Sequence, residues 1–599
     1  MNRVKFMGAA VDEAVHQEAH TAVGAMRMAQ EAGFNWAYLM YDWGFPPEIE
    51  AQDWQVFRQA VQVYHAAGMR VSGYIQASNC VYTGSYREKD WYAQDPLGRP
   101  FYYYTGRYMT CWSHPQWLAH LEEMVQGVLD AGADGVFFDN LWHACQPLHF
   151  GGAWLGPAGY YCPRCRQAFR QETGLEIPAH LFPECDPSSR NYLRWRMSQV
   201  TRVLIRLAEE ARRLKPDVIV SANNFDAVMR PSARIYGIDL TALAKIQDIL
   251  MIEDYGLPRW EPGAPLPKEN SGSLQRHARH LLVNNALTLR NAAALAGETP
   301  VSTNPYDKGI GFDPVYPARR FLHGMAEAAA CGVSMVVKGT EFFEAGQFTL
   351  LTAEGFESQR KAIGRYHRWL QEHADLYQNR KNAARVGLLY PGDALWQEWD
   401  RLAPLYFGAG QTLIAAGIPW RVILADDNRA DLDTLLIFKT DHTARPNIEQ
   451  EQANSRQPAG DPYPSDFPPA TGNRPAIRIN VPDLPGWAPL PPSLLARHPK
   501  LSFVAAIVTG EIFRAYFRWR WARRLADRLK LAQSFTQSPL FYVPPQASCA
   551  SLLAALGELP FPRITASAPV LAETWEQSDG VKQLHLVNYA DQAQEVQVF

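Results

Sequence analysis

The chain has 599 residues, a formal net charge of −3 at pH 7 and a hydrophobic content of 47%. This length suits about three or four domains, and the balanced charge argues against nucleic acid or an anionic membrane as the main partner. The chain begins without the apolar run of a signal peptide and contains no apolar stretch long enough to cross a bilayer, so we expect a cytoplasmic protein.

Short apolar segments alternate with helical patterns through the first 375 or so residues. Several of the helical patterns end in a glycine directly before the next segment, as at Gly33, Gly68 and Gly132, because glycine readily adopts the left-handed conformation that ends helices. The sequence therefore predicts an α/β fold that opens with a (β/α)8 TIM barrel, with a doubly wound open sheet as the alternative. The eight strand candidates are 4–10, 36–41, 70–76, 135–139, 218–222, 249–253, 301–303 and 334–338.

Further domains are predicted after the barrel, which we place at 1–378. Strand and helix patterns predict a flavodoxin-like α/β domain over 379–440 and roughly 500–560. Residues 441–499 are rich in proline and predict an irregular insertion. Three β patterns in 561–599 predict a short C-terminal β segment, which is too small to stand alone and is either incomplete or completed by the α/β domain.

Polar residues stand where the predicted barrel strands end. The carboxyl ends of barrel strands surround one mouth, where the active sites of such barrels lie. The fourth strand is the most informative, because the buried run Val136–Phe138 stops on Asp139. Asn79 and Tyr306 follow other strands at the same mouth. The further residues at the strand ends predict substrate contacts: Asp42, Trp43, Gln76, Asn140, Trp142, His143, Asn223, Asn224, Asp254, Tyr255, Asn304 and Glu341.

These carboxylates, amides and aromatic rings suit a neutral, polyhydroxylated ligand. Two carboxylates on opposite sides of a pocket are what glycoside hydrolysis requires. Asp139 and Glu253, two strands apart around the ring, are the candidate pair. Asp254 is adjacent to Glu253, and the sequence leaves open which of the two faces Asp139. Taken singly, a carboxylate at a strand end can instead cap a helix or form a salt bridge.

A group of four cysteines follows the fourth predicted strand. Cys162 and Cys165 form a Cys-x-x-Cys pair, and Cys145 and Cys185 flank it. Four such cysteines have the chemistry to bind a structural zinc ion, whereas the simpler interpretation is unmetallated thiols packed in the loop. No cofactor is expected to be required for catalysis.

Three motifs in order carry a family resemblance: Cys111-Trp-Ser-His-Pro, Asp134-Gly-Val-Phe-Phe-Asp139, and the segment from Cys162-Pro-Arg-Cys to Thr173-Gly174. Together they resemble glycosyl-hydrolase barrels found beside bacterial α-L-fucosidases. They are also similar to relatives of the β-galactosidases that carry a flavodoxin-like trimerisation domain.

The resemblance implies retaining hydrolysis with Asp139 as nucleophile and Glu253 as acid/base, in a homo-oligomer. The β-galactosidases end their fourth strand on Asn-Glu, whereas this chain has Asp139-Asn140, so their catalytic assignments do not transfer.

We therefore expect an exo-glycosidase, α-L-fucosidase-like or galactosidase-like, that acts on a neutral sugar. The alternative is a barrel that binds carbohydrate without hydrolysing it, because fold and function separate readily. A metal-dependent hydrolase of another class ranks last, since only His143 among the histidines stands at a strand end. Neither a nucleic-acid nor a membrane partner is expected.

Overall fold

The chain divides into two compact units, residues 1–378 with 486–540 and residues 379–485 with 541–599. Each unit is described by itself. The computed structural model describes residues 2–6, 20–45, 47–78, 81–82, 89–104, 107–143, 149–150, 153–154, 160–178, 181, 186–228, 231–254, 258, 260, 284–305, 319–342, 348–439, 476–480, 564–590 and 592–599.

Eight parallel strands close into a barrel in the first unit, which confirms the predicted fold class. Each strand pairs with the next along the chain, and the last strand returns to the first. The strands are β1 (Arg3–Lys5), β2 (Trp36–Asp42), β3 (Arg70–Gln76), β4 (Gly135–Asp139), β5 (Ile219–Phe225), β6 (Ile249–Asp254), β7 (Val301–Pro305) and β8 (Ser334–Lys338).

Helices connect the barrel strands. The longest, Pro187–Leu214, begins with proline after Asp186, whose carboxylate accepts the first free backbone N–H groups. None of the described helices is long and apolar enough to cross a membrane. The other helices described in this unit are Ala22–Met26, Arg27–Glu31 (π), Pro47–Ala66, Pro115–Asp130, Pro163–Thr173, Ser232–Tyr236, Leu240–Ala244, Ala286–Ala296, Arg319–Ala330, Glu354–Phe356 (3-10), Glu357–Glu372 and Ala374–Leu376 (3-10).

Short antiparallel strands lie outside the barrel ring. Val81–Tyr82, Tyr102–Tyr104 and Arg107–Tyr108 form one three-stranded sheet. Two hairpin-like pairs follow, His149–Phe150 with Ala153–Trp154 and Thr340–Phe342 with Phe348–Leu350.

The interior of the barrel is filled by large side chains from alternate strand positions. Phe137 of β4 and Met251 of β6 belong to this buried core. Side chains alternate along a strand, so the residues two positions further on, Asp139 and Glu253, face the same interior at the carboxyl ends. The remaining core residues are Trp36, Tyr38, Met40, Tyr74 and Val336.

A β-bulge at the end of β2 interrupts this alternation. Met40 pairs with Tyr74 of β3, but Asp42 pairs with Ile75, so one extra residue is inserted in β2. Ile75 alternates away from the interior that Tyr74 faces. The bulge therefore turns Asp42 outward, and Trp43 packs against the core instead.

The second unit contains a four-stranded parallel sheet, in agreement with the predicted α/β domain. Its strand order is Trp420–Ile423, Val386–Leu389, Thr434–Lys439 and Ala476–Asn480. The last of these strands lies in the segment for which the sequence predicts irregular structure. The predicted contribution of residues 500–560 lies outside the described residues. The helices in the described part of this unit are Asp393–Gln397 and Trp399–Ala415.

An antiparallel sheet joins both ends of the second unit. Arg380–Asn382 pairs with Val570–Gln577, which pairs in turn with Lys582–Asn588. Ile564–Ala566 and Val596–Val598 form a separate pair. The C-terminal β segment is thus hydrogen-bonded to the strand that opens this unit.

Candidate functional site

Asp139 lies at the end of β4 and is held by donors on both of its oxygens. The Tyr74 hydroxyl donates to Oδ2, and Asn140 Nδ2 lies 3.3 Å from the same atom. Asn223 Nδ2 donates to Oδ1 at 2.8 Å. Side chains from β3, from β5 and from the residue after β4 therefore fix the orientation of this buried carboxyl group.

Glu253 lies at the end of β6 and shares the Asn223 amide with Asp139. Asn223 Nδ2 is 3.3 Å from Glu253 Oε2 and 2.8 Å from Asp139 Oδ1. The two carboxyl oxygens are therefore no farther apart than the sum of these distances, about 6.1 Å. The structure brings the two predicted catalytic carboxylates together, and Glu253 faces Asp139.

Amide side chains surround the pair. Asn140 adopts φ 52°, in the left-handed region, and donates to Gln76 Oε1. Among the described residues, Gln76 Nε2, Asn223 Oδ1 and Asn304 Oδ1 are buried without a hydrogen-bond partner. Asn304 stands beside Glu253 in the β6–β7 register. Buried polar atoms are normally paired, so these three are suited to hydroxyl groups of a ligand.

Trp43 adds an aromatic ring beside the core residue Tyr74. Its ring is half-buried and stacks on Tyr74, with centroids 5.7 Å apart and an interplanar angle of 24°. Flat rings of this kind are suited to the apolar face of a sugar.

Asp42 does not face the mouth, and the prediction for it is wrong. The bulge turns its carboxyl group outward, where it accepts the backbone N–H groups of Gly44 and Gln76. Burial, with a smaller contribution from the nearby Asp53, raises the pKa of Asp42 to about 7. Burial, together with the charge of Asp42, raises the pKa of Glu50 on the following helix to about 9.

Asn224 also faces away from the mouth. It follows the inward-facing Asn223, so its side chain alternates outward. Its Nδ2 donates to the Met251 carbonyl at 3.0 Å and lies 3.2 Å from Gln247 Oε1. These bonds tie β5 to β6, which is a structural role rather than the predicted substrate contact.

His143 is packed in protein and does not line the mouth. Its ring stacks on Tyr160 at a centroid distance of 3.4 Å, and Arg196 Nε donates to its Nδ1 at 3.2 Å. Burial and the Arg196 charge hold the pKa of His143 well below its ordinary value. A neutral, enclosed imidazole corrects the prediction that His143 contacts substrate.

Trp142 is likewise enclosed. It stacks on Tyr236 at 4.6 Å and lies 5.3 Å from Phe225, and only 4% of its surface is exposed. The predicted substrate contact of Trp142 is replaced by a buried aromatic stack.

Several predicted site residues cannot be placed. Asn79, Tyr255 and Tyr306, and the side chains of Asp254 and Glu341, lie outside the described residues.

Two mouth residues were missed from the sequence. Tyr74 stands two positions before Gln76 in β3 and therefore shares its face, and this spacing could have revealed it. Lys338, at the end of β8, follows the core residue Val336 by two positions and faces the same interior.

Three cysteines form a buried cluster at one side of the barrel. The Cys111 Sγ atom lies 3.2 Å from that of Cys162 and 3.4 Å from that of Cys165. The three sulfur atoms all lie within 4.8 Å of one another. Cys111 was not predicted as part of this cluster, and the predicted Cys145 and Cys185 lie outside the described residues. Three convergent thiols fit three corners of a tetrahedral zinc site.

Comparisons with known proteins define the fold. No family model matches the chain, and neither does any curated protein. The chain is similar to the β-galactosidase of the psychrophilic Marinomonas ef1, with 13% identity and a TM-score of 0.51, over 73% of this chain and 72% of that one. A β-galactosidase of Halorubrum lacusprofundi gives 14% identity and a TM-score of 0.51, over 73% and 68% of the two chains.

An α-L-fucosidase isoenzyme of Paenibacillus thiaminolyticus gives 16% identity and a TM-score of 0.49, over 73% of this chain. This chain spans 60% of the length of that fucosidase. The two β-galactosidase comparisons, at 13% and 14% identity, establish the fold alone, and the predicted resemblance to the β-galactosidase barrels is confirmed at that level.

Proposed function

We propose that the protein is a retaining glycoside hydrolase, with Asp139 as nucleophile and Glu253 as acid/base. The observation that carries this proposal is the single Asn223 amide that contacts both carboxylates and limits their nearest oxygens to about 6.1 Å. Retaining enzymes hold the two groups about 5–5.5 Å apart, and inverting enzymes about 6.5–9.5 Å. An upper limit of about 6.1 Å between the nearest oxygens favours the retaining arrangement.

The geometry suits a double displacement. The Asp139 carboxylate attacks the anomeric carbon while Glu253 donates its proton to the departing glycosidic oxygen. In the second step Glu253 takes a proton from water, and that water displaces Asp139 from the anomeric carbon. Tyr74 and Asn223 keep the nucleophile oriented throughout.

The substrate class follows from the groups around the pair. Gln76 supplies a donor, Asn223 and Asn304 supply acceptors, and Trp43 supplies an apolar face. This set supports a neutral sugar, and we propose exo-cleavage of a terminal residue of the fucoside or galactoside type.

The test is a panel of aryl glycosides, with the anomer of the first product identified by proton NMR. We expect turnover with retention of configuration. Inversion would contradict the assigned roles. Calorimetric sugar binding without turnover on any member of the panel would instead support the non-hydrolytic carbohydrate-binding barrel.

Tyr74→Phe is expected to lower kcat/KM roughly 10- to 100-fold, because a hydrogen bond to a charged group is lost. Tyr38→Phe is the matched control, since Tyr38 belongs to the same barrel core and its hydroxyl has no hydrogen-bond partner in the described part of the chain. Steady-state kinetics with the best panel substrate decides the point. Equal losses in the two variants would show that Tyr74 acts only through packing.

We also propose a structural zinc ion held by Cys111, Cys162 and Cys165. Such an ion would tie the segment before helix Pro115–Asp130 to the start of helix Pro163–Thr173. It stabilises the fold and takes no part in the chemistry at Asp139.

Cys162→Ser is expected to remove zinc and to lower the melting temperature by roughly 5 °C or more. Metal analysis of the purified protein and thermal unfolding measure the two effects. Cys331→Ser is the control, because Cys331 is buried outside the cluster. Zinc-free wild-type protein, or unchanged zinc in Cys162→Ser, would contradict the proposal.

The homo-oligomer and the cytoplasmic location stay predictions. Size-exclusion chromatography with light scattering of the full chain measures the oligomer.

A further inference from the structure

Two carboxylates hold the turn that follows β2. Glu50 Oε1 accepts the backbone N–H groups of Trp43 at 2.9 Å and of Phe45 at 2.8 Å. Asp42 accepts the N–H group of Gly44, which lies between them. Gly44 adopts φ 87°, which residues with a side chain rarely adopt. Three successive backbone donors therefore depend on two acidic side chains.

Both carboxyl groups are buried, with 2% of Asp42 and none of Glu50 exposed. In the described part of the chain, Asp42 Oδ1 and Glu50 Oε2 have no hydrogen-bond partner. Two neighbouring carboxylates in a buried site resist double ionisation.

Among the described residues, the charged group that acts on both carboxyl groups is itself acidic. Asp53, on the same helix as Glu50, adds further negative charge to both groups. Tyr41 of β2 interacts with both carboxyl groups. The other charged groups around Tyr41 are Arg58 of helix Pro47–Ala66 and Asp130 of helix Pro115–Asp130.

The turn connects this pair to the candidate active site. Its residue Trp43 stacks on Tyr74, and the Tyr74 hydroxyl donates to Asp139. The position of the Trp43 ring on Tyr74 is therefore set by a turn whose backbone N–H groups donate to Asp42 and Glu50.

We propose that Glu50 is a positioning residue that, with Asp42, holds Trp43 in the mouth only while the carboxyl pair retains a proton. This inference rests on the proposed function, in which Trp43 is the platform for the sugar.

The pH dependence has a definite sign. The folded protein raises the pKa of Glu50 to about 9, whereas an unfolded glutamate titrates near its ordinary value of about 4.5. Stability from the protonated group is therefore greatest at acidic pH and is lost as the pH rises towards 9. Above that value both carboxylates are charged, and their repulsion loosens the turn.

Glu50→Gln tests the inference directly. The introduced amide keeps an oxygen for the two backbone N–H groups and cannot ionise. Glu48→Gln is the matched control, because Glu48 is exposed two positions earlier on the same helix. The protein is labelled with 5-fluorotryptophan, and the Trp43 fluorine resonance is assigned with Trp43→Phe.

Between about pH 7 and about pH 10, we expect the Trp43 resonance to move in the wild type and in Glu48→Gln, and to stay fixed in Glu50→Gln. A resonance that is unchanged in the wild type, or that moves equally in all three proteins, would overturn the inference. Asp42→Asn provides a second variant with the same expected loss of pH response, should Glu50→Gln fail to fold.

Kinetics separates this inference from the proposed function. The KM for a panel substrate is measured in the wild type and in Glu50→Gln over the same pH range. As the pH rises, the ratio of the wild-type KM to the Glu50→Gln KM is expected to increase roughly tenfold. The ratio of the two kcat values is expected to stay constant. Absence of turnover on the whole panel would remove the proposed function, and the fluorine titration would still decide the role of Glu50. Turnover with an unresponsive resonance would remove the inference alone.

Discussion

Asp139→Asn is expected to reduce kcat/KM by roughly 10⁴-fold with an otherwise intact protein. The amide has nearly the shape of the carboxyl group it replaces, so the fold is preserved. It cannot attack the anomeric carbon, and no other described carboxylate is as well placed between Tyr74 and Asn223. Steady-state kinetics with an aryl glycoside from the panel measures the loss.

The control is Asp134→Asn, just before the opposite end of the same strand. Asp134 accepts the Val71 N–H group at 2.9 Å and pairs with His65, so its role is structural. We expect this variant to melt at a lower temperature and to keep most of its activity at 25 °C. Asp139→Gly should regain turnover with added azide, which occupies the space of the lost carboxylate. Full activity in Asp139→Asn would refute the nucleophile assignment.

Glu253→Gln is expected to lower activity roughly 10²- to 10³-fold on substrates with poor leaving groups. Aryl glycosides of acidic phenols need little protonation of the departing oxygen, so their first step should be nearly unaffected. The measured quantity is the slope of log kcat/KM against the pKa of the leaving phenol, which should become steeper in the variant.

Asp254→Asn is the comparison variant, because the sequence left open whether Glu253 or Asp254 faces Asp139. Glu253 contacts the Asn223 amide that Asp139 also contacts, so the steep slope should belong to Glu253→Gln alone. A steep slope in Asp254→Asn, together with a wild-type slope in Glu253→Gln, would show that Asp254 is the acid/base residue.

The barrel could be predicted because its signals are local. Each strand is a short apolar run, and turns such as Gly33 and Gly132 adopt the positive φ values that end a helix. The same logic places Asp139 at the carboxyl end of β4, since only the end of a buried strand tolerates a carboxylate next to Phe138.

The orientation of individual side chains could not be predicted as well. One extra residue in β2 turns Asp42 outward and brings Trp43 inward, and no residue type in that segment signals a bulge. Asn223 and Asn224 are chemically alike, and only the register with Met251 shows which one faces the interior.

Contacts between residues far apart in the sequence are the second reason why parts of the site could not be predicted. The spacing from Gln76 places Tyr74 on the interior face of β3, but its hydroxyl reaches Asp139 only once β3 and β4 pair. Cys111 lies 51 positions from Cys162 in the sequence, so the thiol cluster becomes visible only when the two segments meet.

The most direct test of the central claim is to trap the covalent intermediate. The wild-type protein is treated with the 2-deoxy-2-fluoro glycosyl fluoride of the sugar that the panel identifies, digested, and sequenced by mass spectrometry. The fluorine slows both steps, and the second more than the first, so the glycosyl-enzyme accumulates. Retaining hydrolysis by this barrel predicts a sugar adduct on Asp139. An adduct on a different carboxylate, or product inversion with no adduct at all, would contradict it.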